Sequence, residues 1–323
     1  MEVFKYSRPY GFMKRSKLAI TVSLTLILIS YILLATKGLN YGIDFAGGTI
    51  VQVKYDKRAP IQKMRNLLKK DALFQNVSIT KFGSPDEVVI RMKTISKQVD
   101  KDIGISVAKA LSGSGHFQIR RVDMVGPKVG SELRTKGIMS MVIAVLGILL
   151  YVAFRFEWRF AVASVLALVH DISIALGAIS LFHIDVNLDV LAALLTLLGY
   201  SLNDTIIVFD RIREGIVTIK DNNLDFVIDD SITRTLSRTV LTSLTTFLVV
   251  LTLYLFGGAI IAPFSFTMLV GVVVGTYSSI FIASPILLWF KFDMKQYRQR
   301  LAQKKKRALE KKRLRAQYEG GIV

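Results

Sequence analysis

The chain alternates between long uncharged apolar runs and short polar or basic segments. Leu18 to Ala35 carries no charge and is bracketed by Lys17 and Lys37. It is long enough to cross about 30 Å of hydrocarbon at roughly 1.5 Å per residue. Gly137 to Phe154 is a second such run, ending at Arg155, and Phe160 to Phe182 is a third, interrupted by His170 and Asp171. Val190 to Phe209 is a fourth, interrupted by Asn203 and Asp204. From Thr239 to Phe290 there is no charged residue. That length holds two spans, with a turn near Gly257, Gly258 and Pro263. Lys14, Arg15 and Lys17 resemble the basic start of a signal peptide, but the first run is long and more spans follow, so a retained helix is favoured. The pattern therefore predicts a polytopic α-helical membrane protein with six transmembrane helices.

Between the first two spans the pattern changes. TIVQVKY (49–55) alternates like a strand, and APIQKMRNLLKK (59–70) has a helical period with Pro60 near its start. VSITKF (77–82) and EVVIRMK (87–93) alternate again, separated by the turn residues GSPD. SKQVDKDIGISVAKAL (96–111) reads as a helix with Ser96 as its N-cap, and HFQIRRVDMV (116–125) as a last strand. The order β-α-β-β-α-β predicts one external α+β domain of ferredoxin-like type between helices 1 and 2. The expected organisation is an N-terminus at 1–17, helix 1 at 18–36, the external domain at 37–136, helices 2–6 at 137–290 and a basic tail at 291–323.

Composition agrees with the pattern: 52% of residues are hydrophobic, more than a soluble domain of this length would carry. Cysteine is absent, which excludes disulfides, thiolate metal sites and cysteine nucleophiles. His116, His170 and His183 have no zinc-ligand spacing, no phosphate-binding glycine loop is present and no nucleophile–base arrangement is visible. No cofactor, no metal and no catalysis are expected. The formal net charge is +19. Much of it flanks predicted spans, so anionic lipid and membrane topology explain it better than nucleic acid, which is not an expected partner. Loops 3–4 (HIDVN) and 5–6 (GGAIIAP) lack Lys and Arg. Loops 2–3 and 4–5 and the tail are basic, which predicts both termini in the cytoplasm.

The polar residues inside the spans carry the candidate chemistry. A carboxylate in hydrocarbon costs several kcal/mol unless it is paired, hydrated or neutral. Asp204 reads either as a proton-carrying acid or as a hydrogen bond between helices through Asn203 or Thr205. Asn203 could orient Asp204 or hold water. Arg238, where the fifth span leaves the cytoplasm, falls at similar depth if neighbouring helices are antiparallel. Asp171 is a second relay group or a helix–helix hydrogen bond, and Asp210, at the interface beside Arg211 and Arg213, reads as a solvated ion pair. Gly271 and Gly275, four apart, suit close helix packing. In GIDFAGGT, Gly42, Gly47 and Gly48 with Asp44 form either a hinge or a backbone that needs unusual angles where the chain leaves the bilayer and begins a strand. The tail from Lys291 to Arg315 reads as a basic amphipathic helix on an anionic leaflet, with an acidic partner such as a ribosome as the other reading.

Four stretches carry a resemblance: YGIDFAGGTIVQV after the first span, MVGPKVGSEL before the second, GYSLNDTIIVFDRIRE in the fourth and LSRTVLTSLTT after it. With six spans and one external domain, the chain resembles the SecF family, the smaller membrane subunits of the bacterial SecD–SecF accessory complex, of the resistance-nodulation-division superfamily. The resemblance covers nearly the whole chain. It implies a bacterial inner-membrane protein that pairs with SecD, works with the SecYEG channel, with or without YajC, and uses the proton motive force to help move unfolded secreted chains. It also implies that Asp204 and Arg238 lie on the proton pathway. A passive assembly factor and half of a small-molecule exporter are the rival readings.

Overall fold

The computed structural model describes residues 9–71, 74, 77–92, 103–219, 221, 223–290 and 292–319. Helix α1 (Ser16–Thr36) leads through a two-residue strand β1 (Asn40–Tyr41) and a one-turn helix α2 (Ile43–Ala46) into β2 (Gly48–Tyr55). Then come α3 (Ile61–Leu68), β3 (Ser78–Phe82), β4 (Ser84–Met92), α4 (Ile103–Ala110) and β5 (Phe117–Val125). The remaining helices are α5 (Pro127–Arg155), α6 (Trp158–Leu181), α7 (Leu188–Thr218), α8 (Leu224–Phe256), α9 (Gly258–Ser278), α10 (Ser284–Trp289) and α11 (Met294–Glu319). A short strand β6 (Asp185–Val186) precedes α7. Six helical stretches are long and apolar enough to cross a membrane, with α9 and α10 joined as one. Ser96 and the start of its expected helix lie outside the described residues.

The sheet order is β3-β4-β2-β5, antiparallel throughout, which is the ferredoxin-like arrangement. Alternation explains its core. Val51, Val53, Tyr55, Val88, Ile90 and Met92 point to one face and bury against Met64, Leu68, Val107 and Leu111 of the helical layer. Burial raises the Tyr55 phenol above its ordinary value, partly offset by its 2.7 Å hydrogen bond with Ser114. Two turn expectations change. Gly83 alone, at φ 68°, reverses the chain between β3 and β4. Ser84, Pro85 and Asp86 already belong to β4, ahead of the pairing with β2 that begins at Glu87, so the missing proline N–H interrupts nothing there.

In the helical bundle, α6, α7 and α9 form the centre, while α1, α5 and α8 show apolar side chains outward, as at Leu24, Leu150 and Leu248. Lipid tails are as apolar as leucine, so close packing and polar contacts must hold these helices together. Gly177 of α6 provides one such contact: a Cβ there would lie 2.8 Å from the Ser30 Cα of α1. Pro263 falls inside α9 rather than in the α8–α9 turn, which is made by Gly257 and by Gly258 at φ 80°. Before Pro285 the chain widens into a π-helical turn, Ser279–Ala283, and the Ser284 hydroxyl donates to the Ser279 carbonyl at 3.0 Å.

Met13 and Arg298 meet the same side of the bundle, opposite the α/β domain. The Met13 amide donates to Asp229 of α8 at 2.9 Å. Arg298 of α11 donates to the carbonyls of Ile216, Ile219 and Asp221 at 2.6–2.9 Å, closing the C-terminus of α7. Of the apolar positions in the tail, Leu301 packs against the bundle core and Leu314 departs from the face that carries Leu309. Leu309 and Leu314, each 54% exposed, lie about 140° apart around the helix, with basic residues between them on both sides.

Candidate functional site

Asp204 sits mid-way along α7 and is 1% exposed. Its neighbours in sequence do not satisfy it. Asn203 is exposed on the flank of the bundle, because adjacent residues point about 100° apart around a helix. The Thr205 hydroxyl donates to the Ser201 carbonyl one turn back at 3.1 Å. The partner of Asp204 is Ser243 of α8, whose hydroxyl donates at 3.3 Å, and Thr276 of α9 donates to Ser243 at 2.7 Å. Arg238 lies just over one turn before Ser243, exposed. Among the described residues it forms no ion pair with Asp204 within 4.0 Å. A carboxylate can accept about four hydrogen bonds, and among the described residues Ser243 supplies one of them.

Asp171 of α6 contrasts with it. Oδ1 lies 2.8 Å from His170 Nδ1, while Oδ2 accepts from Ser278 of α9 at 2.9 Å and from Ser201 of α7. An ionised Asp171 requires the proton on Nδ1 of the imidazole. The His170 ring stacks on Tyr277, whose hydroxyl donates to Ala19 of α1 at 2.7 Å and accepts from Ser23 at 3.2 Å. One buried carboxylate thus gathers α6, α7 and α9, and its histidine reaches α1. Gly271 and Gly275 permit this approach. A Cβ on Gly275 would lie 3.1 Å from the Ser201 side chain, and one on Gly271 would meet Leu197. Asp210 does not pair with Arg211 or Arg213. Its partner is Arg155 at the end of α5, at 3.8 Å, and Arg211 turns to Glu214 one turn on.

The glycine-rich stretch after α1 meets the opposite end of α7. β1 pairs in parallel with β6, and the Gly42 amide donates to the Val186 carbonyl at 2.8 Å. Asp44 then accepts from the Leu188 amide at 3.0 Å, while Asn187 caps the same helix through Val190. A negative side chain is favourable at that helix end, where N–H groups lack partners and the dipole is positive. Gly47 and Gly48 carry the chain into β2 at φ 74° and 142°. Gly130, in the first turns of α5, packs so closely that a Cβ would lie 2.9 Å from the Gly47 nitrogen. The base of the α/β domain, α5 and α7 therefore meet at one joint. Asp44→Ala is expected to cost about 1 kcal/mol, as for loss of a helix cap. Hydrogen exchange of the Leu188 amide should speed up while the rest of α7 stays protected.

The sequence did not single out Ser201, Ser243, Thr276, Ser278 or Arg298. Serines in apolar spans look like small packing residues until the partner helix is known. Arg298 is one of many basic residues in the tail.

Together these features define a class: a multi-pass helical membrane protein whose buried acids are joined, through a glycine-rich joint, to a ferredoxin-like domain. Residues 105–293 match the family described as protein export membrane protein SecD/SecF, C-terminal, and residues 32–57 match the SecD/SecF GG motif. The chain belongs to the SecD/SecF family. It is 50% identical to the protein translocase subunit SecF of Helicobacter pylori J99 over the whole of both chains. It is 41% identical to SecF of Escherichia coli O157:H7 over 89% of each. The crystal structure of SecDF from Thermus thermophilus, described as translocon-associated, matches with a TM-score of 0.80 and 33% identity over 90% of this chain. A SecDF structure in a super-membrane-facing form matches with a TM-score of 0.67 and 32% identity, over 94% of this chain. The chain spans about 40% of the length of those SecDF chains.

Proposed function

We propose that this chain is an auxiliary subunit of the Sec protein translocase which, together with SecD, uses the proton motive force to promote export of secreted proteins. It sits in the bacterial inner membrane with both termini cytoplasmic and residues 37–136 outside. Its partners are SecD, the SecYEG channel with or without YajC, and an unfolded chain in transit. The basic segment 291–323 meets anionic headgroups by charge.

One observation carries the reading: Asp204 is buried in α7 facing the Ser243 hydroxyl, and the far end of that helix is bonded to the base of the α/β domain. Burial favours a protonated acid, and a guanidinium brought against it favours the carboxylate. A working cycle that makes and breaks an Asp204–Arg238 contact would therefore load and release a proton. Each elementary charge moved through 100 mV supplies about 2.3 kcal/mol. Asp171 holds α6, α7 and α9 in register through Ser201 and Ser278, and Gly271 and Gly275 keep α9 close. Asp44, Gly42, Gly47 and Gly48 pass the displacement of α7 to the sheet.

The test has two parts. Purification from membranes should recover SecD and SecYEG with this chain. Export of a secreted reporter into inverted vesicles should fall when a protonophore is added. A chain that purifies alone, or export indifferent to the protonophore, would overturn the reading.

A further inference from the structure

The segment before α1 is fastened to α8, and the two helices then part. The Tyr10 amide donates to Thr233 at 3.0 Å and the Met13 amide to Asp229 at 2.9 Å. Beyond this point α1 packs on α6 and the π-helical turn, while α8 packs on α7 and α9. Two hollows follow α8 away from the fastening. The first, of about 590 Å³, is lined by Tyr10, Phe12, Lys14, Arg15, Leu236 and Phe281. The second, of about 410 Å³, runs on between Val240, Leu244 and Phe247 of α8 and Val273, Tyr277 and Ile280 of the facing wall. Leu236 and Val240 are one turn apart on α8, and so are Phe281 and Tyr277 opposite, with their rings 5.2 Å apart. The two hollows therefore form one groove. From Leu236 to Phe247 it runs roughly 16 Å, about the depth of one leaflet of a 30 Å hydrocarbon core.

The groove divides by chemistry. In its deeper part the hydroxyls are already engaged. Ser243 donates to Asp204 and Thr276 to Ser243, while the Tyr277 hydroxyl donates to the Ala19 carbonyl and accepts from Ser23. What remains to face outward is hydrocarbon, as at Leu244 and Val273, 49% and 56% exposed. The mouth is cationic. Lys14 and Arg15 are exposed, and among the described residues neither has a carboxylate oxygen within 4.0 Å.

We propose that this groove binds an anionic phospholipid of the leaflet that holds the N-terminus, with its phosphate at Lys14 and Arg15 and one acyl chain along α8. A free phosphate would use the mouth and leave the apolar walls bare. An apolar helix of a partner would cover the walls and leave the two cations without a counter-charge. A zwitterionic lipid fills the groove equally well but gains less at the mouth, where each basic side chain favours an anionic headgroup by about fivefold. The site differs from the basic tail in selecting headgroup and chain together. Its acyl chain lies against Ser243 and Thr276, the hydroxyl pair that reaches Asp204, and keeps water from approaching the acid along this side.

The test uses the full chain in vesicles, with Trp158→Phe and Trp289→Phe removing the native indoles. Leu244→Trp puts a reporter on the rim of the groove, and Leu146→Trp puts one on the exposed side of α5. Quenching is measured with phosphatidylglycerol or phosphatidylcholine brominated on the acyl chains. Brominated phosphatidylglycerol should bind beside Leu244→Trp about tenfold more tightly than brominated phosphatidylcholine, and beside Leu146→Trp with no more than about a twofold preference. Lys14→Gln together with Arg15→Gln should lower the Leu244→Trp preference to the Leu146→Trp value. Quenching of Leu146→Trp in that same background reports insertion, so a loss confined to Leu244→Trp is loss of the site. An equal preference at the two reporters, or a preference that survives the double substitution, overturns the proposal. So does a Leu244→Trp protein that neither lipid quenches, the result expected if a protein helix covers the groove.

Discussion

Asp204→Asn abolishes the protonophore-sensitive part of export and leaves the protein inserted. The substituted amide has nearly the shape of the acid and keeps an oxygen facing the Ser243 hydroxyl, now 3.3 Å from the carboxylate. It cannot gain or lose a proton, so no charge can be moved through the membrane at this position. About 2.3 kcal/mol per charge per 100 mV then no longer reaches α7. The substitution also removes an acid with little hydrogen bonding from a buried position, so the folded protein should persist at its normal level. The measured outcome is an export rate in vesicles equal to that of the unsubstituted protein with protonophore present, and unchanged by adding more. Export that stays protonophore-sensitive in this variant would show that another group carries the proton. Asp171→Asn should behave differently. An amide at 171 keeps its oxygen on Ser201 and Ser278 and turns its NH₂ to His170 Nδ1, so the imidazole must carry its proton on the buried Nε2, which has no partner among the described residues, at a cost of about 1–3 kcal/mol. Its signature is a lowered melting temperature in detergent, which Asp204→Asn should not share.

Gly48→Ala disrupts the joint between the α/β domain and the bundle. At φ 142° an L side chain is strained whatever the space around it, and here the Cβ would lie 2.5 Å from the Met92 carbonyl oxygen. That oxygen is main chain of the neighbouring strand and cannot turn aside. Backbone strain alone costs of order 1–3 kcal/mol, and displacing β4 adds to it. Gly47→Ala meets the same obstacle, with Pro127 Cα 2.8 Å away. Gly83→Ala is the control. Its φ is also positive, at 68°, but no atom lies within 4 Å, so only the left-handed backbone cost of about 1–2 kcal/mol remains. Limited proteolysis of the α/β domain in sealed vesicles should cut the Gly48 and Gly47 variants readily and the Gly83 variant little more than the unsubstituted chain. Equal cleavage of all three would mean that the joint tolerates side chains and that the two glycines have another role.

Much of this architecture is legible in one dimension. Uncharged runs such as Leu18 to Ala35 place helices because a bilayer demands length and apolarity together. The alternation in TIVQVKY and EVVIRMK places strands because one face of a sheet must be buried. Asp204 and Asp171 are conspicuous for the same reason, since a charge inside an apolar run is costly and calls for an explanation. Turns and surface pairs are less legible. Gly257 and Gly258 make the turn expected near them, but Pro263, grouped with them in the sequence, lies inside α9. Asp210 suggested a pair with its sequence neighbours, yet Arg155 reaches it from another helix.

The sequence by itself determined how many helices there are, what kind of domain stands between the first two, and which acids lie at membrane depth, because each of these is a property of one segment and its solvent. Only the tertiary structure decided that Asp204 faces Ser243 while Asp171 gathers Ser201, Ser278 and His170, and that Asp44 closes one end of α7 and Arg298 the other. Those pairings depend on how helices far apart in the chain rotate and slide against one another. In a membrane that is set by small residues and hydroxyls whose periodic pattern is indistinguishable from ordinary packing.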